Sequence, residues 1–448
     1  MNQYQVTLKL DPQKHTLSIT EEVTFTNRTA DTLSTLVVRL WPNALATEET
    51  SPAATEELYE TAYPNHFSPG SVLLHDVKWN GQPTAHRYLD DTATVLEIQT
   101  EPIAPGKGGT LYIRCVVQLP ECAYRTGYLD DTWMLGHVLP LLSVYENGTW
   151  RQDPYVPIGD PFYSECANFS LSLYLPEGYV PVCSVPLTET KNGLWQGEAL
   201  AIRDVGLCVS PGYKSAEVFV NNTQVIAYAR DEQSANAALS YARNALETFS
   251  SLYGPYPYPR FSVCSAAFAP GAMEYPCMVM VDEAYFAPDQ QDTLELIIAH
   301  ETAHQWFYGL VGSDSVNQPW QDEALCEYAM LRYVEKQYGP DAFRSLSFYR
   351  ADAPMQERIP GGLTPATPID YFSSLTDYRT IVYGRGASMM LALDLFVPGG
   401  VDAFLQAYVA EYSFDIASRK DFENCLNTYA GMDVSVLVQD YLDTKMNE

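Results

Sequence analysis

Two histidines four residues apart, His300 and His304, bracket a glutamate, Glu301, in the run HETAH. The surrounding segment, TLELIIAHETAHQWF, is apolar at helical spacing, with Asp292 or Thr293 placed to cap its start. On a helix, positions i and i+4 share a face, so both imidazoles can reach one point. That is what a zinc ion needs from two of its ligands. Glu301 falls beside that point, close enough to act on a water there without being a ligand. Eighteen residues separate His304 from Glu323, which is read as opening a second helical stretch, EALCEYAMLRYVEKQYG. Two imidazoles and a carboxylate leave a fourth position open, as in a catalytic rather than a structural site.

Positioning these groups is the task of the second half of the chain. DEQSANAALSYARNALETFSSLYG reads as a helix with Ser234 as N-cap and Gly254 as its stop. FSVCSAAF and CMVMVDEAYF read as strands on either side of Gly271-Ala272-Met273-Glu274-Tyr275-Pro276. After the two helices that carry the ligands comes a Pro-rich loop through residues 354–370. IVYGRGASMMLALDLFVPGG then reads as a helix from about Tyr383 that stops at Gly399-Gly400. The first half is different. Tyr4, Val6, Leu8 and Leu10 alternate, as do Leu17 and Ile19, then Val23 and Phe25, and turn signals such as Asn80-Gly81 and Pro105-Gly106 separate further strand-like runs. Residues 43–70 are polar and loop-like. The aromatic tract from Trp133 to Phe162 is placed to pack against the second half. The expected organisation is a β-rich domain over residues 1–215 and a catalytic domain over 216–448.

Composition excludes several partners. At 448 residues the chain exceeds one ordinary core, which also points to two domains. Its net charge of −30 repels phosphate backbones and anionic lipid, so neither nucleic acid nor a membrane surface is an expected partner. There is no apolar run of eighteen residues to span a bilayer. Nine cysteines scattered without a CxxC pair read as small buried hydrophobes, not as a disulfide framework. His15, His66, His75, His86 and His137 show no ligand spacing and read as surface or satisfied core residues. Tyr4 already lies in a strand, with no signal-peptide pattern before it, so the chain is either cytosolic or lacks an upstream targeting segment.

A zinc helix preceded by GAMEY and followed by a glutamate and a Tyr-Gly-Arg-Gly run resembles the zinc aminopeptidases of the aminopeptidase N type, which are gluzincins. The family signature HExxHxW, with eighteen residues between its second His and a later Glu, is similar to His300 through Trp306 and then Glu323. The GxMEN exopeptidase motif is similar to Gly271 through Tyr275, and the YxKG segment to Tyr383 through Gly386; the likeness keeps its order over about residues 250–400. It implies a multidomain chain: a saddle-like β-rich N-terminal domain and an α+β thermolysin-like catalytic domain. It implies one Zn2+ per chain on His300, His304 and Glu323, Glu301 as general base, and Tyr383 as a donor to the developing oxyanion. It further implies that Glu274 pairs with the α-ammonium of a peptide with a free N-terminus, while Gly271, Ala272, Met273 and Arg385 contact the bound substrate. Two positions depart from the pattern. Tyr275 replaces the usual Asn, and Arg385 replaces the usual Lys, which keeps charge but not geometry. Asp130 and Asp131 are the nearest positional candidates for the acidic or amide group that completes the amino-terminus clamp from the β domain. By that resemblance the chain is expected to end near the close of the catalytic domain, short of the large C-terminal helical domain of longer relatives. Zinc endopeptidase and zinc-retaining peptide-binding protein are the alternative readings.

Overall fold

A strand with every second residue apolar must lay that face on a core, and the first strand, Gln3–Asp11, does so with Tyr4, Val6, Leu8 and Leu10 buried. The computed structural model describes residues 1–51, 56–358 and 360–444. That first strand pairs antiparallel with Thr16–Thr26 and parallel with Ala167–Tyr174, in the middle of an eight-stranded sheet. Leu36, Val38, Leu96 and Ile98, from a four-stranded sheet, bury into the same core. A further four-stranded sheet carries the hairpin Thr126–Leu129 and Thr132–Leu135, whose turn holds Asp130 at φ 51°.

The polar tract 43–70 is not all loop. Residues 52–55 lie outside the described residues, but α1, Glu56–Ala62, follows them. Leu58 and Ala62, one helical turn apart, pack with Tyr63 on Cys122 and Tyr124. That pair of apolar residues overrides the polar composition around it.

The second half is built on a mixed five-stranded sheet, in the order Lys214–Val220, Thr223–Ala229, Arg260–Ala266, Met278–Asp282, Ala272–Met273. The last of these is the sheet edge. Helices α2 (Glu232–Tyr253), α3 (Gln291–Ala303) and α4 (Trp320–Tyr338) pack with it into the core. Helix α2 starts earlier than its sequence reading. Asp231 is the N-cap, accepting from Ser234 N at 2.9 Å and Ser234 Oγ at 2.7 Å, so Ser234 is the third residue in. Neither Asp292 nor Thr293 caps α3; both lie inside its first turn, after Gln290. Helix α4 opens at Trp320, which places Glu323 within its first turn rather than at its start.

The Tyr383 segment also differs from expectation. A π-helical stretch, Arg379–Arg385, carries Tyr383, and an α-helix follows only over Gly386–Leu393. It stops short of Gly399 because Asp394 turns its carboxylate to the next helix, where Oδ1 accepts from Val401 N at 2.7 Å. Ile359, in the Pro-rich loop, lies outside the described residues. All nine cysteines are buried and unbridged. Among the described residues, no helix is long and apolar enough to cross a membrane.

Candidate active site

Helix α3 ends at Ala303, yet His304 keeps helical dihedrals (φ −59°, ψ −17°), so the i, i+4 relation of the two histidines survives. The partner helix is locked beside it. Glu295 of α3 accepts from Tyr333 Oη at 2.5 Å and Tyr338 Oη at 2.6 Å, both on the far end of α4, which fixes where Glu323 arrives. His300 Nε2 and His304 Nε2 lie 3.2 Å apart. Glu323 Oε2 is 3.2 Å from the first and 3.4 Å from the second. Ligands about 2.0–2.1 Å from a tetrahedral ion sit about 3.3 Å from one another, so the three atoms fit a zinc ion. Glu274, Glu301 and His304 form a second set of ligand atoms, within 4.8 Å of one another. The first set is tighter and has the nitrogen content zinc favours.

The charge balance of the site suits a cation. Burial alone would raise the Glu323 carboxyl, but the hydrogen bonds to His300 and His304 outweigh it and hold it well below the usual range. Burial opposes charge on His300, while hydrogen bonds to Glu323 and Glu327 lift it to about 9. Burial also raises Glu301, whose Oε2 has no partner among the described residues.

Behind the ligands stand groups that sequence reading missed. Glu327 Oε2 lies 3.2 Å from His300 Nδ1. Its carboxylate is gripped by Arg350, with Nε at 2.5 Å from Oε1 and Nη2 at 2.9 Å from Oε2. His304 Nδ1 faces Phe307 O at 3.2 Å. Glu327 is one turn beyond Glu323 on α4, a spacing that signals it in retrospect; Arg350 comes from a π-helical turn with no such signal.

The catalytic cavity has a volume of about 80 Å³ and is lined by Glu274, His300, Glu301, His304, Glu323 and Tyr383, among others. The Tyr383 ring stacks on His300 with centroids 5.5 Å apart. Burial, then the nearby Glu323, pushes its phenol well above the ordinary value, so it remains a donor. Glu274 is only 5% exposed. Ala272 reaches the cavity wall. Gly271 serves the turn before it, at φ 112°, with its N–H donating to Phe268 O at 3.0 Å. Met273 is buried, its sulfur accepting from Arg125 Nε at 3.2 Å. Arg385 does not reach the cavity: its guanidinium donates to Pro354 O at 3.2 Å and Glu357 O at 2.7 Å, pinning that loop.

From the β-rich half, Tyr124, Arg125 and Asp160 close the cavity. Arg125 Nη2 lies 2.5 Å from Asp160 Oδ1, and Ser315 Oγ donates to Asp160 O at 2.7 Å. Asp130 and Asp131, chosen by position along the chain, are not there; the hairpin turn carries them to a different groove, where Asp131 pairs with Arg230 at 2.7 Å.

Tyr275 has a structural account. It is fully buried and leans into the first half, where a methyl group at Gly136 would come 1.7 Å from its Oη and one at Gly206 would come 2.4 Å from its ring. Gln305 holds the loop, accepting from Cys277 N at 2.7 Å and donating to Tyr275 O at 3.2 Å.

Residues 237–441, which contain α3, α4 and the Tyr383 segment, match the model of the peptidase family M1 domain. The second half of the chain is thus similar to an M1 peptidase domain. The resemblance to the aminopeptidase N type agrees with the relatives to which this chain is similar. It is 25% identical over 305 residues to aminopeptidase N of Streptomyces lividans, covering 62% of this chain and 35% of that enzyme. With aminopeptidase N of Lactobacillus delbrueckii subsp. lactis it shares 22% over 447 residues, 87% of this chain and 52% of the other. The chain thus spans between about a third and a half of these two enzymes. Its fold is that of the crystal structure of an M1 zinc metallopeptidase from Deinococcus radiodurans, with a TM-score of 0.70 at 17% identity, covering 100% of this chain and 94% of that one. A β-rich N-terminal region followed by a more helical region is therefore the fold this chain shares with that structure.

Proposed function

We propose that this M1 chain is a zinc-dependent aminopeptidase that removes N-terminal residues from peptides, with one zinc ion per chain. One observation carries the reading: the three ligand atoms, Glu301, Tyr383 and Glu274 converge on a single small cavity, and the chain beyond Glu274 is buried. That leaves room for the start of a peptide and not for a chain running through.

His300, His304 and Glu323 would hold the ion. When bound, zinc supplies Lewis acidity toward a peptide carbonyl and makes a water acidic enough to attack near neutral pH. Glu301 takes a proton from the attacking water and returns it to the leaving amine as the C–N bond breaks. The Tyr383 phenol donates to the carbonyl oxygen as negative charge develops there. Glu274 receives the substrate's α-ammonium, and Asp160, held by Arg125, faces it from the other half as the second carboxylate of that clamp.

The test compares a peptide with its N-acetylated twin, in the parent and in Glu274→Ala. A charge-assisted hydrogen bond to the ammonium is worth about ten- to hundredfold. The parent should reject the acetylated peptide, and the variant should lose activity on the free one by about that factor. Equal cleavage of both by the parent, at internal bonds, would make this an endopeptidase.

A further inference from the structure

A second concavity, of about 1150 Å³, adjoins the catalytic one, and no step above uses it. Three stretches of chain line both. Residues 267–269 form its wall before Pro270 and Ala272 enter the catalytic cavity, Ala123 does so before Tyr124 and Arg125, and Thr61 of α1 lies near Leu58. Burial fixes the route between them. A peptide anchored by its amino group at Glu274 cannot continue past Tyr275, Pro276 and Cys277, which are buried. The open path follows the edge strand Ala272–Met273 back through Pro270 to Ala269, into the larger groove.

The groove has a distinct chemistry. Asp130, Asp131, Asp231, Asp282 and Glu283 line it against, among the described residues, a single cation, Arg230. Arg230 is already engaged, at 2.7 Å from Asp131 and 3.5 Å from Glu283. Phe268, Phe286 and Leu129 give the walls an apolar part. Ser265, also in the wall, is 2% exposed with a hydroxyl that has no partner among the described residues. Apolar walls under a surplus of carboxylates match the stems and charged ends of lysine and arginine.

We propose that this groove binds the part of a peptide substrate downstream of the cleaved bond and selects basic residues there. This rests on the aminopeptidase reading above. The test uses hexapeptides with one N-terminal residue in common and a single lysine, serine or glutamate moved along the downstream positions. An aminoacyl amide, too short to reach the groove, serves as the control. The parent should cleave the best lysine peptide about tenfold faster in kcat/KM than its glutamate twin at low salt, with the gap narrowing at high salt. Asp130→Asn combined with Glu283→Gln should cut that preference at least about threefold and leave the amide unchanged. Asn suits the positive φ at Asp130, so the turn is preserved. A preference indifferent to lysine position, or unaltered in the variant, would mark the overall negative field instead and overturn the proposal. If no peptide is hydrolysed at all, the aminopeptidase reading fails and binding decides the groove separately. Anisotropy of a labelled lysine-rich peptide on the Glu301→Gln protein should then be salt-sensitive and weakened by the groove variant; no charge-dependent binding overturns the proposal.

Discussion

Glu327 touches nothing that a substrate would feel, yet it sits between a guanidinium and the imidazole of His300, a proposed zinc ligand. Such outer partners orient a ligand ring and raise its basicity, and losing one typically costs about 10–100-fold in metal affinity. Glu327→Gln should therefore weaken zinc binding by about that factor in a chelator competition, with KM for a small aminoacyl amide little changed once zinc is saturating. Unaltered affinity would mean that Arg350 and the fold alone hold His300. The reacting side of the same cavity gives a different signature. Glu301→Gln should keep zinc and lose about 10²–10⁴-fold in kcat, and Tyr383→Phe about 10²–10³-fold, both read at saturating substrate. A near-normal kcat in either variant removes that residue from its assigned role.

At the scale of elements, the strand Thr16–Thr26 contains a group that its own alternation places badly. Glu21 points to the core with Leu17, Ile19 and Val23, fully buried, and neither carboxylate oxygen has a partner among the described residues. Burial raises its pKa well above the ordinary value, so the folded chain keeps this proton. The unfolded chain releases it above about pH 4.3. Stability contributed by this site is therefore lost as pH rises from there toward the folded value. Glu21→Gln removes that dependence, and the variant should be more stable than the parent at pH 7 by about 1–3 kcal/mol, with the gain shrinking near pH 4. Denaturant melts at the two pH values measure it, and a variant equally or less stable at pH 7 would show that water satisfies the carboxylate. The same elements show what a sequence can disclose. The His300–His304 pair is legible because i, i+4 spacing is local, and strand alternation is legible for the same reason. Glu274 and Tyr383 emerge only from motif resemblance, since no periodicity marks them. Asp160, Arg125 and Arg350 come to the cavity through tertiary contacts alone. The π-helical stretch at Tyr383 leaves no trace in an apolar pattern that fits an α-helix equally well.

Across the whole molecule, the two halves are bound by polar hooks as much as by apolar packing. Arg203 donates from the first half to Tyr308 O at 2.7 Å and Leu310 O at 3.1 Å in the second, and Arg151 pairs with Asp314 at 2.7 Å. These contacts hold Asp160 opposite the zinc ligands, so the cavity exists only while the halves stay together. Tyr275 is the tightest part of that seam. Gly136→Ala should cost at least about 1–3 kcal/mol through overpacking against it. Tyr275→Asn should cost a few kcal/mol by leaving a cavity, roughly 3 kcal/mol for so large a side chain. Combined, they should cost less than the sum, with a coupling of about 0.5–3 kcal/mol in a double-mutant cycle by thermal melts. Simple additivity would mean that the halves shift to absorb the methyl group.

The wedge at Tyr275 also sets the order in which three positions can be changed. A ring at 275 fits only while Gly136 and Gly206 are both bare, because a methyl group at either would meet it. Neither glycine is free to change while the ring is there, and the ring cannot leave without opening a void. A laboratory lineage that tries to place asparagine at 275 should therefore stall until a neighbouring position fills the space the ring leaves behind.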